Sequence, residues 1–434
     1  MRRLNPDLDG RVHARLDARL ARDSRAPLAV ALSGGGDSLA LVLMASDWAR
    51  ARGRPLRVLT VDHGLQPDGR AWTETCAGIA RRLGAGFEAL AWRGPYPETG
   101  LPAAARQARH RLLAEAARRT GARVLLMGHT ADDVAETQVM RSEGALTPFP
   151  REWSPSPVWP EGRGVFILRP LLGVRRESLR RWLLDRGEVW VEDPANSDLR
   201  FARSRARRVL AGPGAGASEV FAAAETEGLS EAAEAALQVE GGRQGLVLPR
   251  ESLRTMKSAA ARRLVAAACL SAGGGGRPPR GEALDRLVGR LVSEAGVRAT
   301  LAGALVLADD DRVMWGRTAG EMQRQSAGGL DLPEGGEGVF DGRFEVRASR
   351  NIRLFPLAGR LARLPQTDRA ALAGVPVPFR GSLPGVLAED GVRLAGAPGS
   401  GAEVRFLGRA RLVSACGGAP DEGSAAALEL SGRC

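Results

Sequence analysis

Residues 27–38 read PLAVALSGGGDS: an apolar run, three consecutive glycines, an acid and a serine, leading into the apolar stretch SLALVLMASDWARA at 38–51. A short β-type run, a glycine loop and a helix-length segment in that order place Ser33, Gly34, Gly35, Gly36, Asp37 and Ser38 between a strand and a helix. Glycines let the backbone approach a phosphate closely, and the free N–H groups and positive dipole end of the helix favour its charge. These residues are therefore read as a phosphate cradle. The loop lacks the Gly-Lys-Ser/Thr of a Walker A motif and does not fit GxGxxG. Asp37 would repel a phosphate unless a cation lay between them. A glycine-rich turn with no ligand is the alternative.

Outward from this loop, strand-like and helical runs alternate: LRVLTVDHG (56–64), WTETCAGIARRLG (72–84), FEALAW (87–92), AAARQARHRLLAEAARRTG (103–121), RVLLMGH (123–129), ADDVAETQVMR (131–141) and, later, VFILRPLL (165–172). Near-continuous apolar strands between helices predict a parallel sheet covered on both faces, a doubly wound α/β domain over residues 1–212. Residues 142–164 interrupt the pattern with a Pro- and Trp-containing loop, functional or mobile in expectation. RRESLRRWLLDRG (175–187) reads as a helix ended by Gly187, followed by VWVEDPANSD and the Arg-rich FARSRARRVL (201–210). After the glycine-rich break at 211–218, Ala-rich helical runs and the hairpin-like TLAGALVLADDDRVMWGR predict a mainly helical domain over 217–320, and short strand-like pieces predict a small β-rich domain over 328–434.

The whole chain of 434 residues carries a net charge of +12 and 44% hydrophobic residues, enough for two or three packed domains and incompatible with general disorder. Nearly all the positive charge is arginine, Lys257 being the one lysine. The excess suggests a polyanionic partner such as nucleic acid, although codon bias accounts for it equally well. No apolar run of about 18 residues occurs and the N-terminus has no signal-peptide core, so a cytoplasmic protein without membrane contact is expected. Cys76, Cys269, Cys416 and Cys434 lie too far apart to suggest a metal site or disulfide framework. Three of the four histidines, His63, His110 and His129, sit in or beside the polar motifs of the N-terminal part, which locates chemistry there.

Val61-Asp62-His63-Gly64-Leu65 ends the second strand, where a parallel sheet faces its ligand crevice, so Asp62 and His63 are candidates for holding a nucleotide; a strand-end acid capping its own turn is the plain alternative. Arg106 and Arg109 share a helix face and suit phosphate binding or stabilisation of developing charge, or else form a solvated basic face. After the fourth strand, His129 precedes Asp132, Asp133 and Glu136, with Asp132 and Glu136 on one helix face. Carboxylates there suit Mg²⁺ or a cationic substrate, while the helix dipole alone also favours an acid at Asp133.

The SGGxDS loop resembles the pyrophosphate loop of ATP pyrophosphatases, which cleave ATP between its α- and β-phosphates. SGGGDS, VDHGL, ARQARH, GHTADDVAET, RPLL and VEDPANSDLRFARSRAR, in that order over residues 27–208, are similar to the tRNA(Ile)-lysidine synthases. The resemblance implies an adenine nucleotide α-hydrolase-like fold, with ATP and Mg²⁺ as cofactors and tRNA(Ile) and free lysine as substrates. It further implies that ATP adenylates O2 of the wobble cytidine of a CAU anticodon and that the ε-amine of lysine attacks C2, releasing AMP and changing codon reading from AUG to AUA. On it rest the roles of Asp37, Arg109 and Asp132 as catalytic residues and of Asp37 and Asp132 as Mg²⁺ ligands. His129, Asp133, Glu136, Arg106, Arg203 and Arg207 are then lysine or tRNA contacts, with His129 a candidate acceptor of the lysine proton.

Val134, His110 and Ser204 depart from the family's usual Gln, Tyr and Asn, so the contacts of those side chains do not carry over. Phe149, Trp153 and Trp159, in the loop that replaces the family's Gly-rich segment, either stack on unpaired bases or pack on their own domain. Within the same fold a tRNA thiolation enzyme is the main competitor, but it needs a cysteine relay that the motifs lack. A catalytically silent tRNA-binding protein is the other reading. The C-terminal domains are expected to discriminate tRNA, and the oligomeric state is open, a homodimer among the alternatives.

Overall fold

The computed structural model describes residues 6–66, 68–145, 147–192, 202–210, 228–243, 245–324, 329–389 and 391–430. Most of the expected turn VEDPANSD, the glycine-rich break at 211–218 and Cys434 lie outside them. The chain divides into two compact units, one formed by residues 1–221 and 420–426 and the other by 222–419 and 427–434.

In the first unit a six-stranded sheet has the order β3-β2-β1-β4-β6-β5. Its strands are β1 (Leu28–Ala31), β2 (Leu56–Asp62), β3 (Gly86–Ala91), β4 (Val124–Leu126), β5 (Trp153–Pro155) and β6 (Phe166–Leu168). Five run parallel, with Val30 level with Val58 on one side and Leu126 on the other, and only β5 is antiparallel, on β6. The helices between them are α2 (Gly36–Ala51), α3 (Gly69–Arg82), α4 (Leu101–Arg119), α5 (Ala131–Ser142) and α6 (Arg176–Leu184), with α1 (Pro6–Arg19) ahead and α7 (Ala202–Leu210) behind. Alternation along each strand sends neighbouring side chains to opposite faces. Ala29, Leu59, Leu90, Leu125 and Ile167 thus form one core with Leu113, Ala116 and Ala117 of α4. On α2 nearly every residue from Leu39 to Ala49 is buried, as an apolar helix within an α/β domain requires.

In the Pro/Trp loop, Trp153 follows the second of the two alternatives. Trp153 is buried in β5 and stacks on Phe166 with ring centroids 4.9 Å apart, so it packs on its own domain and offers no face to a base. The first unit also includes the start of the last helix: Arg54 donates to both carboxylate oxygens of Glu422 (2.8 and 2.5 Å), and the Ala21 N–H donates to the same carboxylate.

In the second unit, α8 (Leu229–Leu237), α9 (Arg250–Arg254), α10 (Ser258–Gly273) and α11 (Glu282–Ser293) accompany a five-stranded antiparallel sheet, where the sequence reading saw a single hairpin. Its core, around Leu264, Val306 and the fully buried Trp315, also takes Leu412, Val413 and Cys416 from a helix far along the chain. A second core, around Phe344, Leu354 and Phe379, lies beneath a four-stranded and a three-stranded antiparallel sheet. Among the described residues no helix is long and apolar enough to cross a membrane.

A phosphate loop beside an acid–arginine network

Strand order reverses between β1 and β4, and the crevice at such a switch point is where open parallel sheets take ligands. The phosphate loop leaves β1 there. Gly34 has φ +85°, a conformation that glycine adopts without strain. Ser38 Oγ donates to the Gly35 carbonyl at 2.9 Å and accepts from the Ser33 N–H at 3.2 Å, which closes the loop on itself. No side chain caps the start of α2, so the first-turn N–H groups keep their capacity for an anion. Gly128, at the end of β4, sits so close that a Cβ would lie 3.0 Å from the Asp37 carbonyl oxygen and 3.1 Å from Ser38 Cα. Across the loop, the Val191 N–H donates to the Gly34 carbonyl at 2.9 Å and the Trp190 ring lies against Gly36, two contacts without a sequence signal.

Arg176, which the sequence offered only as part of a helix, is the hub of the site. Its Nε donates to Asp37 Oδ2 (2.9 Å), Nη1 donates to Glu136 Oε1 (3.1 Å), Nη2 lies 3.6 Å from Asp133, and its backbone N–H donates to Asp132 Oδ2 (2.8 Å). Burial works against its charge, but Asp37, Glu136 and Asp133 outweigh it and hold Arg176 above the ordinary arginine range. Asp37 moves the other way: burial pushes its carboxyl up despite Arg176, and nearby Asp133 adds to the push.

The acids of α5 take different parts. Asp132 binds the first N–H of α6 and, through Oδ1, Arg175 at 3.1 Å, so both its oxygens are engaged. Asp133 Oδ2 accepts from the Thr130 N–H and Oγ and so caps its own helix, the plain alternative for a first-turn acid. Against the upward push of burial, Arg203, the Thr130 N–H and Arg176 hold its carboxyl low. Glu136 is buried at 1% exposure; Arg207 Nε donates to its Oε1 at 2.7 Å, whereas its Oε2 has Arg203 at 3.5 Å and no hydrogen bond. Arg203 and Arg207 are thus brought to the acids Asp133 and Glu136, contacts that the resemblance, which offered them as lysine or tRNA contacts, did not specify.

Asp133 is near enough to favour the charge of Arg106 and Arg109, but neither is in salt-bridge contact with an acid among the described residues, and Arg109 Nε is buried without a hydrogen bond. Burial, with Arg106 and Arg203 nearby, lowers Arg109 to about 10. Asp62 Oδ1 accepts from the Gly64 N–H at 2.9 Å, the turn-capping role. His63 has a buried Nδ1 without a partner and an edge-on contact with Trp92, and burial and Arg109 lower its pKa.

The surroundings of His129 bear on its candidacy as a proton acceptor. Arg169, buried after β6, donates from Nε to His129 Nδ1 at 3.2 Å and from Nη1 to the Arg151 carbonyl at 2.7 Å. Burial first, then Arg169, lowers His129 to about 3. With the lone pair of Nδ1 engaged and protonation opposed, the His129 ring is poorly placed to act as a base.

A strand–glycine loop–helix at a parallel switch point, without a Walker lysine, defines the class: this is a PP-loop enzyme that uses ATP. A PP-loop domain profile matches residues 8–212. The chain is 47% identical over 390 residues to the tRNA(Ile)-lysidine synthase of Caulobacter vibrioides, covering 88% of each chain. It is 40% identical over 294 residues to that of Hyphomonas neptunium, covering 65% of this chain and 79% of the relative. The chain belongs to the tRNA(Ile)-lysidine synthase family. Among solved structures, a U34-tRNA thiolase of Methanococcus maripaludis aligns at 16% identity with a TM-score of 0.39, over 47% of this chain and 70% of that one.

Proposed function

We propose that the protein ligates free lysine to C2 of the wobble cytidine of a CAU-anticodon tRNA(Ile), with ATP cleaved to AMP and diphosphate. The carrying observation is an acid cluster with two arginines beside it: Arg109, whose Nε is buried without a hydrogen bond, and Arg106 both feel Asp133, and Glu136, four residues from the neighbouring Asp132 on the same helix, keeps a buried Oε2 without a hydrogen bond. The arginines suit phosphoryl transfer, the acids an ammonium. A tRNA substrate implies a cytoplasmic site of action.

In the first step cytidine O2 attacks the α-phosphorus and diphosphate leaves. Ser33, the three glycines and Ser38 hold the phosphates, and Asp62 and His63 border the nucleotide from the end of β2. Arg109 stabilises the charge growing on the phosphoryl oxygens. Mg²⁺ commonly binds through one or two carboxylates plus substrate phosphates. Asp37 fits that mode because only its Oδ2 is engaged, whereas Asp132 would have to release Arg175 or the α6 N–H. Such an ion would neutralise phosphate charge. Among the described residues no three metal-ligating side chains converge into an all-protein cage.

In the second step the lysine amine attacks C2, the C2–O bond breaks, AMP departs and the amine gives up a proton. An ammonium with a pKa of about 10.4 is neutral in only about one molecule in a few thousand at pH 7, a handicap of roughly 4–5 kcal/mol. Glu136, with Asp133, receives the lysine, and Arg203 and Arg207 yield part of Glu136 to it or hold the tRNA backbone. The test is AMP release with ATP, lysine and the tRNA. Release indifferent to lysine, or to replacement of the wobble cytidine, refutes the assignment.

A further inference from the structure

The histidine that is poorly placed to act as a base still faces the site, and its partner dictates what it can do. We propose that Arg169 is a positioning residue that locks His129 as the Nε2–H tautomer, making His129 a hydrogen-bond donor to an anionic substrate oxygen. This role rests on the lysidine-forming reaction proposed above.

A guanidinium has five N–H donors and no lone pair to offer. The 3.2 Å contact between Arg169 Nε and His129 Nδ1 is therefore a donation from arginine to imidazole, and a neutral imidazole whose Nδ1 accepts carries its proton on Nε2. Arg169 is itself fixed: Nη1 donates to the Arg151 carbonyl and to Ser154 Oγ, which ties the tautomer to the edge strand β5. His129 Nε2 has no partner among the described residues. The groups facing the ring are Arg169 after β6, Asp133 of α5, and Arg106, Arg109 and His110 of α4. His110 is buried with both ring nitrogens unpartnered, and burial and Arg109 push it down to about 2, so it brings no charge at neutral pH. Cations thus outnumber Asp133 around the ring, and the oxygen best received by Nε2–H there is anionic. An α-phosphate oxygen of ATP and the α-carboxylate of lysine share that chemistry.

Long-range ¹H–¹⁵N spectra of ¹⁵N-histidine-labelled protein read the tautomer directly. The chain has only four histidines, and His129→Gln assigns the signals of His129 by their loss. The expected pattern is an Nε2–H imidazole that does not titrate between pH 5.5 and 8.5; Arg169→Met should release it into a tautomer mixture or ordinary titration. A proton on Nδ1, or a midpoint near 6.5 in the unaltered protein, overturns the proposal, and the wild-type spectrum decides even if Arg169→Met does not fold. In the AMP-release assay His129→Gln, which keeps an N–H donor but no base, should stay within about tenfold of wild type with an unchanged pH profile, while His129→Ala falls further. Equal loss in both variants, or disappearance of the acid limb in the Gln variant, contradicts donation. A selective rise in KM for lysine, absent with lysine amide as substrate, assigns the oxygen to the carboxylate; a selective rise for ATP assigns it to the phosphate. The spectra need no turnover, so an enzyme without lysine-dependent AMP release would sink the proposed reaction while leaving the tautomer to be judged separately.

Discussion

Replacing Arg176 by methionine removes the one side chain among the described residues that touches Asp37, Asp133 and Glu136 together, while keeping an unbranched apolar stem. Breaking a buried ion pair from one side costs about 3–5 kcal/mol because the other charge is left uncompensated. Here the loss is smaller for two reasons. Glu136 keeps Arg203 and Arg207 and Asp133 keeps Arg203, so Asp37 alone loses its contacting cation, with only the more distant influence of Arg180 left. Arg176 and Asp37 also retain 20% and 22% side-chain exposure, which screens them in part. About 2 kcal/mol at pH 8 is the expected loss, or roughly 4–8 °C in the melting midpoint of a unit of this size. The pH dependence follows from the direction of the Asp37 shift, already upward and larger once Arg176 is gone. An acid whose folded pKa exceeds its unfolded value binds more protons when folded, so stability falls as pH rises through that interval and returns as pH drops toward about 4. The gap between variant and wild type should therefore shrink on going from pH 8 to pH 5, and Asp37→Asn in the Arg176→Met background should recover more than half of it at pH 8. Calorimetric melts of the full chain at both pH values provide the check. A shift below 2 °C, a gap that does not change with pH, or no recovery in the double variant would refute the hub.

Other outcomes follow from the same contacts. Arg109→Gln should raise the melting midpoint slightly, because it removes a buried cation that has Arg106 and Arg203 nearby and no direct ion pair among the described residues, and lower kcat/KM for AMP release by about tenfold to a hundredfold; parallel melts and kinetics test this. Gly128→Ala puts a methyl group 3.0 Å from backbone atoms of the first turn of α2, so calorimetric titration should show ATP affinity down at least tenfold, with about 1–3 kcal/mol of stability lost. Glu422→Gln, in a pair exposed by only 2% on each side, should cost about 3–5 kcal/mol in urea unfolding, with AMP release under native conditions largely kept.

The parallel sheet was legible because each of its central strands is a short apolar run before a turn, and the phosphate loop because its glycines stand between strand and helix. The edge strand β5 was hidden: three residues within a Pro- and Trp-rich stretch carry no period, and its pairing depends on β6 being alongside. Asp132, Asp133 and Glu136 looked equivalent as acids of one first helical turn and a half. Their separation into a cap for α6, a cap for α5 and a buried acid held by arginines depends on where the start of α6 and the face of α7 meet α5, which helical spacing within α5 cannot reveal. Arg176 was invisible for a different reason. In a chain whose 62 basic residues are nearly all arginine, one more arginine at a helix start carries no signal. The helical run LRTMKSAAARRLVAAACL was visible by composition, but the five-stranded sheet packed with it combines strands as distant as Glu240–Gly242 and Arg312–Gly316.

That every cation brought to the site is arginine bears on the chemistry as well as on composition. The proposed intermediate is an adenylated cytidine whose C2 is open to any neutral primary amine, and a lysine side chain beside it would duplicate the substrate. Guanidinium stays charged and is not such a nucleophile, whereas a buried lysine loses its proton readily. Arg109→Lys is therefore more than a conservative change. Burial together with Arg106 and Arg203 would depress the new ammonium just as they lower Arg109, leaving a tethered amine in a neutral, reactive form. With ATP and tRNA but no free lysine, the variant should form a covalent protein–tRNA adduct and release AMP, visible as a shifted band on a denaturing gel, while wild type and Arg109→Gln form none. Competition by millimolar free lysine should suppress the band. If the variant releases AMP only with free lysine and never becomes attached to tRNA, Arg109 does not border the reacting base, and its part in the first step is confined to the phosphates.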